Sequence, residues 1–432
     1  MPSVAFTTLG CRLNQAESDS MAEDLAGSGL GAVAEGESPD VVVINTCTVT
    51  REATKASRMA IRRAVKSHPD AKVVVVGCYA VSDRDEVEAI EGVDVVVGND
   101  EKERLAEVLG GIPQTQPLLQ LGMRPTQKTV PFRVRANLKI QTGCDEWCSF
   151  CIIPTTRGPL RSLDESSLIT EASTRVAAGA REIVLTGVHL GKYTYDTGGD
   201  ERRLVELFGK LLEIDGLWRV RLSSILSRHL TDELLAFMAD EPRMCRFLHV
   251  PLQSGDDGVL EIMNRPYRIG EFMDAIGRAK AALPGVALAT DIIVGHPGES
   301  DVAFGNTMDV VRDVGFSKLH VFRYSARPGT AAADLTDDVN GNVKKDRSKA
   351  LIELGNSIRA RFLNDHLGRP VEVLVEDERV VDGVSVCSGQ TDDYVRAWFE
   401  ADGLLGKMVT IEADEVRADG LRGGRVLTTT RG

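Results

Sequence analysis

Asn137-Leu138-Lys139-Ile140-Gln141-Thr142-Gly143-Cys144-Asp145-Glu146-Trp147-Cys148-Ser149-Phe150-Cys151 is the stretch from which the 432-residue chain is best read. Asn137–Gln141 has the composition of a strand, and the loop that follows it carries three cysteines spaced C-x3-C-x2-C. Downstream, candidate strands recur at Glu182–Thr186, Arg219–Ser223, Phe247–Val250, Ala287–Val294 and Lys318–Phe322, with helical stretches between them such as Glu165–Ala178 and Ile269–Ala282. Six strands alternating with helices predict a parallel partial barrel, whose chemistry belongs at the carboxyl ends of its strands. Cys144 opens the loop after the first of them.

Upstream the same alternation makes a separate unit. Val4–Thr7, Val41–Asn45 and Lys72–Val76 read as strands of a parallel sheet covered on both faces, with helices near Gln15–Leu25, Glu52–Lys66 and Asp85–Ile90. Each strand is followed by a cysteine: Cys11, Cys47 and Cys78. The carboxyl ends of parallel strands share one edge, where open α/β sheets hold ligands. Three thiols in one structural slot therefore predict a shared metal site, although a single such cysteine would be read as filler.

Residues 113–131 contain Pro113, Pro117, Pro125 and Pro131 without clear periodicity and read as a linker. Beyond about residue 367 the pattern becomes short alternating strands, at Val371–Val375, Tyr394–Trp398 and Lys407–Ile411, punctuated by glycines. That pattern predicts a small antiparallel β-barrel. The expected division is 1–112, an α/β domain; 113–131, a linker; 132–366, a partial (β/α)6 barrel; and 367–432, the small barrel.

Composition sets the outer bounds. The apolar fraction of 43% and charged fraction of 27% describe a globular protein. The sequence offers neither a basic leader followed by a long apolar run nor a span-length apolar segment, so a cytoplasmic protein with no membrane partner is expected. In that compartment eight cysteines are not expected to form structural disulfides. Cys245 and Cys387 read as small buried hydrophobes. The net charge of −13 argues against non-specific polyanion binding, but leaves room for a local basic groove.

Three thiolates in one loop can hold three irons of a 4Fe–4S cubane and leave the fourth open to an exogenous ligand. Tetrahedral zinc is the alternative, but it wants a fourth Cys or His that the loop does not contain. A zinc-stapled RNA-binding protein without catalysis thus stays as the outside case. A cobalamin enzyme with an N-terminal α/β domain is a further alternative, less suited to three cysteines at strand ends.

With Phe150 preceding the last cysteine and a β/α partial barrel following, this loop resembles that of the radical S-adenosylmethionine (SAM) superfamily. The resemblance implies a cluster on Cys144, Cys148 and Cys151 whose open iron chelates SAM, and reductive cleavage of SAM to a 5′-deoxyadenosyl radical. Thr186-Gly187, Arg221-Leu222-Ser223-Ser224 and Thr290-Asp291-Ile292-Ile293-Val294-Gly295 resemble its SAM-binding segments. The implied cofactor contacts are Phe150, Thr186, Gly187, Ser223, Gln253 and Asp291; no catalytic proton acceptor is assigned.

Further motifs narrow the resemblance. Leu9–Gln15, Asn45–Thr50, Gly77-Cys78-Tyr79-Ala80, His249–Gly255 and Tyr324–Thr330 are similar to those of the methylthiotransferase family, over nearly the whole chain and including a TRAM-like C-terminal barrel. The family implies a second 4Fe–4S cluster, on Cys11, Cys47 and Cys78, that carries the sulfur to be transferred. Asn45–Thr50 and Gly77–Ala80 look most like the branch that methylthiolates C2 of N6-threonylcarbamoyladenosine at position 37 of tRNA. The alternatives are the isopentenyladenosine branch and the branch modifying a ribosomal-protein aspartate, which typically has Pro-Lys where Arg12-Leu13 stand. The implied partners are a tRNA anticodon stem-loop and a reduced flavodoxin or ferredoxin.

Phosphate contacts require cations. The candidates are Arg51, Lys55, Arg58, Arg62, Arg63 and Lys66 on one helix, Arg133, Arg135 and Lys139 before the central motif, and Arg157 and Arg161 after it. From Arg369 onward, eight Lys and Arg face thirteen Asp and Glu. That excess is unusual for an RNA-binding barrel and leaves only Arg396, Trp398, Arg422 or Arg425 as contacts there. Trp398 itself is expected in the barrel core.

Overall fold

The computed structural model describes residues 2–33, 37–109, 133–193 and 203–431. The expected linker at 113–131 lies outside the described residues. Two compact units divide the chain: residues 1–132 with 142–147 and 151–161, and residues 133–141 with 148–150 and 162–432. None of the described helices is long and apolar enough to cross a membrane.

The first unit is built on a five-stranded parallel sheet in the order Gly31–Ala32, Ser3–Thr8, Val41–Thr46, Lys72–Gly77, Val95–Val97. Every residue of Val41–Thr46 is buried, as a strand covered on both faces requires. Val41, Val43, Val74 and Val76 pack on one side with Met21 and Leu25; Val42, Ile44, Val73 and Val75 pack on the other with Ile61, Ala64 and Tyr79. The Arg51–Ser67 helix buries Ser57, Ile61 and Ala64, at spacings of four and three, so its basic residues fall on the other faces. Thr50 starts it, its hydroxyl accepting from the Ala53 N–H.

The second unit begins with six parallel strands in chain order. Arg135–Lys139, Glu182–Thr186 and Arg219–Leu222 form one sheet, and Phe247–His249, Ala287–Val294 and Lys318–Arg323 another. Single parallel bridges, Val220 to Met244 and Ser224 to His249, join them into the expected partial barrel. Alternation sorts the side chains. Ala136, Leu138, Ile183, Leu185, Val220, Leu222, Leu248, Leu288 and Ile292 share a core with the surrounding helices. By the same alternation the intervening residues, among them Glu182, Thr186, Arg219, Arg221, His249, Asp291 and His320, lie on the opposite, lumen face, together with apolar Val184, Phe247, Ala287 and Ala289. The first strand starts two residues earlier than the sequence pattern suggests, which brings Arg135 into the lumen.

The long Gly341–Asn364 helix, capped by Asn340, leads to a closed ring of five strands: Pro370–Val381, Val384–Gln390, Arg396–Glu400, Met408–Arg417 and Gly420–Arg431. Four of its pairings are antiparallel; Arg396–Glu400 and Gly420–Arg431 run parallel and close the ring. The expected strand at Tyr394–Trp398 starts at Arg396 instead, because Tyr394 turns the chain with φ of 70°. Trp398 is likewise not in the core. Ala397 and Phe399 fill it, and alternation puts Trp398 half-exposed on the outer face, under the Arg396 guanidinium. Cys245 and Cys387 are buried, as expected.

Candidate functional site

In the first unit, Cys11, Cys47 and Cys78 follow three strands that are neighbours in the sheet. Adjacent strands lie about 4.8 Å apart, so all three cysteines leave one short stretch of the sheet edge. Cys11 caps the Arg12–Gly27 helix and is exposed, whereas Cys47 and Cys78 are buried. Ser57 clamps Cys47, its hydroxyl accepting from the Cys47 N–H at 3.0 Å and donating to the Cys47 carbonyl at 2.8 Å. Asn14 ties the strand ends together, its amide donating to the Leu9 carbonyl at 2.7 Å and the Thr46 carbonyl at 2.9 Å.

Two glycines make this convergence possible. Gly10 has φ of 94°, and a Cβ there would lie 2.7 Å from Cys47 Cβ. Gly77, at φ of 101°, would place a Cβ 2.5 Å from the Thr46 carbonyl oxygen. Both positions combine a left-handed backbone with a close approach that only glycine allows. Gly77→Ala is expected to push Cys78 away from Cys47 and to destabilise the sheet edge by about 1–3 kcal/mol. Thermal unfolding and iron content of the reconstituted variant measure the two effects.

A buried ionic network of the same unit adjoins these thiols. Arg157 Nη1 and Lys102 Nζ both bind Glu17, at 2.8 and 2.7 Å, and the three side chains are almost wholly buried. Arg157 also reaches Asn14 Oδ1 at 2.5 Å, and Lys102 reaches Asn45 Oδ1 at 3.0 Å. One carboxylate shared by two cations suits neighbouring thiolates. Burial pushes the Cys47 thiol up to about 11, with Cys78 and Cys11 adding to the rise, so ligation of a metal there would displace a proton. Asn99 Nδ2 lies 3.7 Å from Cys78 Sγ and donates to the Thr156 carbonyl at 2.7 Å. The donor set is three sulfurs at one sheet edge, with cations close by, and it fits an iron–sulfur cluster with an open iron.

Cys144, Cys148 and Cys151 lie within one eight-residue segment. The Cys144 N–H donates to the Gly158 carbonyl at 3.2 Å. In the second unit, buried Cys148 receives a hydrogen bond from Arg265 Nη1 at 3.1 Å, and the neighbouring Ser149 N–H is held by the Met263 carbonyl. Phe150 packs with Val259, Met263 and Ile293, and its ring meets His296 edge-on at 6.3 Å.

Of the other sequence-derived candidates in the second unit, Thr186, Gly187, Ser223 and Gln253 end or follow strands, and Asp291 lies within Ala287–Val294. Thr186 ends its strand, and the N–H groups of Val188 and His189 after Gly187 both donate to Gln141 Oε1. The Ser223 N–H is bound to the Leu185 carbonyl. Gln253, at φ of 65°, bridges to Ile292. Asp291 Oδ1 accepts from His249 Nε2 at 3.1 Å and His320 Nδ1 at 3.0 Å. Burial would push the Asp291 carboxyl up, but the two imidazole donors outweigh it and hold it below the ordinary carboxylate range.

Arg221 and Arg135 are placed otherwise than the sequence reading expects. Arg221 is fully buried at the lumen's amino-terminal end, on Glu182 at 2.7 Å and on the carbonyls of Thr391 and Asp392. Arg219 joins Glu182 and the Gln390 carbonyl, and Arg135 lies between Glu182 and Glu376. Arg135 and Arg157 are thus buried in ion pairs rather than available for phosphate. Arg58 pairs with Glu86, and Arg161 with Glu103. Arg51, Lys55, Arg62, Arg63 and Lys66 remain exposed.

Comparison with known proteins bears on this arrangement. Residues 3–98 match the model described as uncharacterized protein family UPF0004, and residues 138–311 match the radical SAM superfamily. The chain is 38% identical over 427 residues to the threonylcarbamoyladenosine tRNA methylthiotransferase MtaB of Bacillus subtilis, covering 95% of this chain and 94% of that protein. The chain belongs to the radical SAM methylthiotransferase family. Within the family it is also 36% identical to the tRNA-2-methylthio-N(6)-dimethylallyladenosine synthase of Acidothermus cellulolyticus, over 98% of this chain and 88% of that one. In fold, the methylthiotransferase is similar to the radical SAM methyltransferase TsrM from Kitasatospora setae, with a TM-score of 0.57, 15% identity and 77% of each chain covered. As a radical SAM enzyme it uses a 4Fe–4S cluster and SAM.

Sequence reading missed Glu17, Lys102 and Arg265 as supports of the thiols and gave Arg157 a phosphate role instead. Glu17, Lys102 and Arg157 are scattered over 140 positions, and Arg265 lies 117 positions from Cys148. Glu17 and Arg157 lie close to cysteine motifs, which is the one available signal; Lys102, inside the charged run Asp100–Arg104, carries none.

Proposed function

We propose that this enzyme installs a methylthio group at C2 of N6-threonylcarbamoyladenosine at position 37 of tRNA. The observation that carries the proposal is the near-full-length similarity to MtaB in a chain that gathers Cys11, Cys47 and Cys78 at one sheet edge in addition to its C-x3-C-x2-C loop. In this reading Cys144, Cys148 and Cys151 hold the cluster that binds SAM, and Cys11, Cys47 and Cys78 hold the second. When bound, the first supplies the electron that cleaves SAM, and the second supplies the sulfur.

The chain's own groups then bind and orient. Phe150, Thr186, Gly187, Ser223, Gln253 and Asp291 contact SAM, with the Asp291 carboxylate kept ionised by His249 and His320. Exposed Arg51, Lys55, Arg62, Arg63 and Lys66 line a helix that follows Cys47 in the chain, and serve as phosphate contacts to the anticodon stem-loop. A low-potential flavodoxin or ferredoxin serves as the electron donor.

Expression in a bacterial strain lacking its own tRNA methylthiotransferases, followed by mass analysis of tRNA nucleosides, tests the substrate. The expected product is 2-methylthio-N6-threonylcarbamoyladenosine. Appearance of the 2-methylthio form of isopentenyladenosine alone would reassign the enzyme to the other tRNA branch.

A further inference from the structure

Arg265 follows the Asp257–Ile262 helix in the sequence Asn264-Arg265-Pro266-Tyr267, where Asn264 turns the chain with φ of 53°. Its side chain is buried, with 8% of the residue exposed. Nη1 donates to Cys148 Sγ at 3.1 Å, and Nε donates to the Tyr267 hydroxyl at 3.2 Å. The Tyr267 ring lies 4.9 Å from the guanidinium, and its hydroxyl is anchored at the carbonyls of Pro251 and Leu252. The fork is therefore held from behind and aimed at sulfur.

Charge makes this arrangement unusual. A buried guanidinium ordinarily lies on a carboxylate, because an uncompensated buried cation is costly. Among the described residues Arg265 has no carboxylate partner, and its Nη2 has no hydrogen-bond acceptor. The anion it faces is the Cys148 sulfur, and its spare N–H groups point to a further acceptor brought by a ligand. A charged N–H···S bond of this kind strengthens when an added electron raises the negative charge on the sulfur.

We propose that Arg265 is a positioning residue for the cluster held through Cys148, fixing that thiolate and raising the cluster's reduction potential. The inference rests on the reading that Cys144, Cys148 and Cys151 hold a 4Fe–4S cluster. The step concerned is uptake of one electron from a low-potential reductant, with no bond made or broken. Of the levers that set such potentials, it uses hydrogen bonding to the ligand sulfur.

The test uses the full chain with Cys11, Cys47 and Cys78 replaced by alanine, reconstituted so that one cluster remains. Potentiometry followed by electron paramagnetic resonance (EPR) is compared for Arg265, Arg265→Gln and Arg265→Lys. With about four iron per chain retained, Arg265→Gln is expected to shift the reduction equilibrium at least tenfold toward the oxidised form. That is about 59 mV downward for one electron. Arg265→Lys is expected to shift it less. An unshifted potential in an iron-replete Arg265→Gln chain overturns the proposal. If Arg265→Gln does not hold the cluster, 15N-arginine labelling of the chain with Arg265 intact decides: pulsed EPR of the reduced cluster is expected to show a weak 15N coupling, and its absence overturns the proposal. A background chain that binds no iron at all would instead overturn the cluster reading beneath it.

Discussion

Replacing Cys11, Cys47 and Cys78 together by alanine is expected to separate the two halves of the reaction. SAM cleavage, followed as 5′-deoxyadenosine under a chemical reductant, should persist, while methylthiolated nucleoside falls to background. Replacing Cys144, Cys148 and Cys151 should abolish both. The reasoning is local. Cys47 and Cys78 follow the neighbouring strands Val41–Thr46 and Lys72–Gly77, with Cys47 clamped by Ser57 and the Thr46 carbonyl held by Asn14, and their removal is expected to leave the partial barrel's own strands and the Arg265 contact to Cys148 intact. The prediction fails if the first triple variant loses SAM cleavage as completely as the second while its fold, by circular dichroism, is unchanged.

Glu182→Gln is expected to cause a large loss of stability. Glu182 is fully buried and takes Arg219 at 2.5 Å, Arg221 at 2.7 Å and Arg135 at 3.6 Å. Burial alone would push its carboxyl up; the three guanidiniums outweigh burial and hold it far below the ordinary range. Because its folded value is depressed, its contribution is complete above the unfolded glutamate value near 4.3. It is lost only as pH falls through the much lower folded value. Removing the anion strands buried cations and is expected to cost about 3–5 kcal/mol at neutral pH. Denaturant unfolding measures it, and a cost below about 1 kcal/mol would contradict the role assigned to this carboxylate. The same cluster carries the carbonyls of Gln390, Thr391 and Asp392, so proteolysis near Leu367 should accelerate in the variant.

These two predictions draw on different levels of the sequence. The first was legible in it: Val41–Ile44 and Lys72–Val76 are β-branched runs, each followed by a cysteine, and parallel strands must place those cysteines along one edge. The six barrel strands were legible for the same reason, as were the helices whose buried positions repeat every three or four residues. The Glu182 cluster was not. Arg135, Arg219 and Arg221 alternate with apolar residues; Arg135 reads as a phosphate contact, Arg221 as part of a SAM-binding segment, and Arg219 only as the start of a strand. Closure of the barrel turns that alternating face inward, and Glu376 together with Gln390–Tyr394 from the C-terminal part of the chain meets its end. Trp398 failed for a related reason. Its composition suggests core, but the register that places Ala397 and Phe399 inward leaves it on the outer face.

The central claim is that this chain holds two clusters on two independent sets of three cysteines, and iron with acid-labile sulfide per chain measures it most directly. Anaerobic reconstitution of the unaltered chain and of the Cys144/Cys148/Cys151→Ala chain is expected to give about eight iron in the first and about four in the second. About four in the first and none in the second would leave Cys11, Cys47 and Cys78 without a cluster, and would contradict the account.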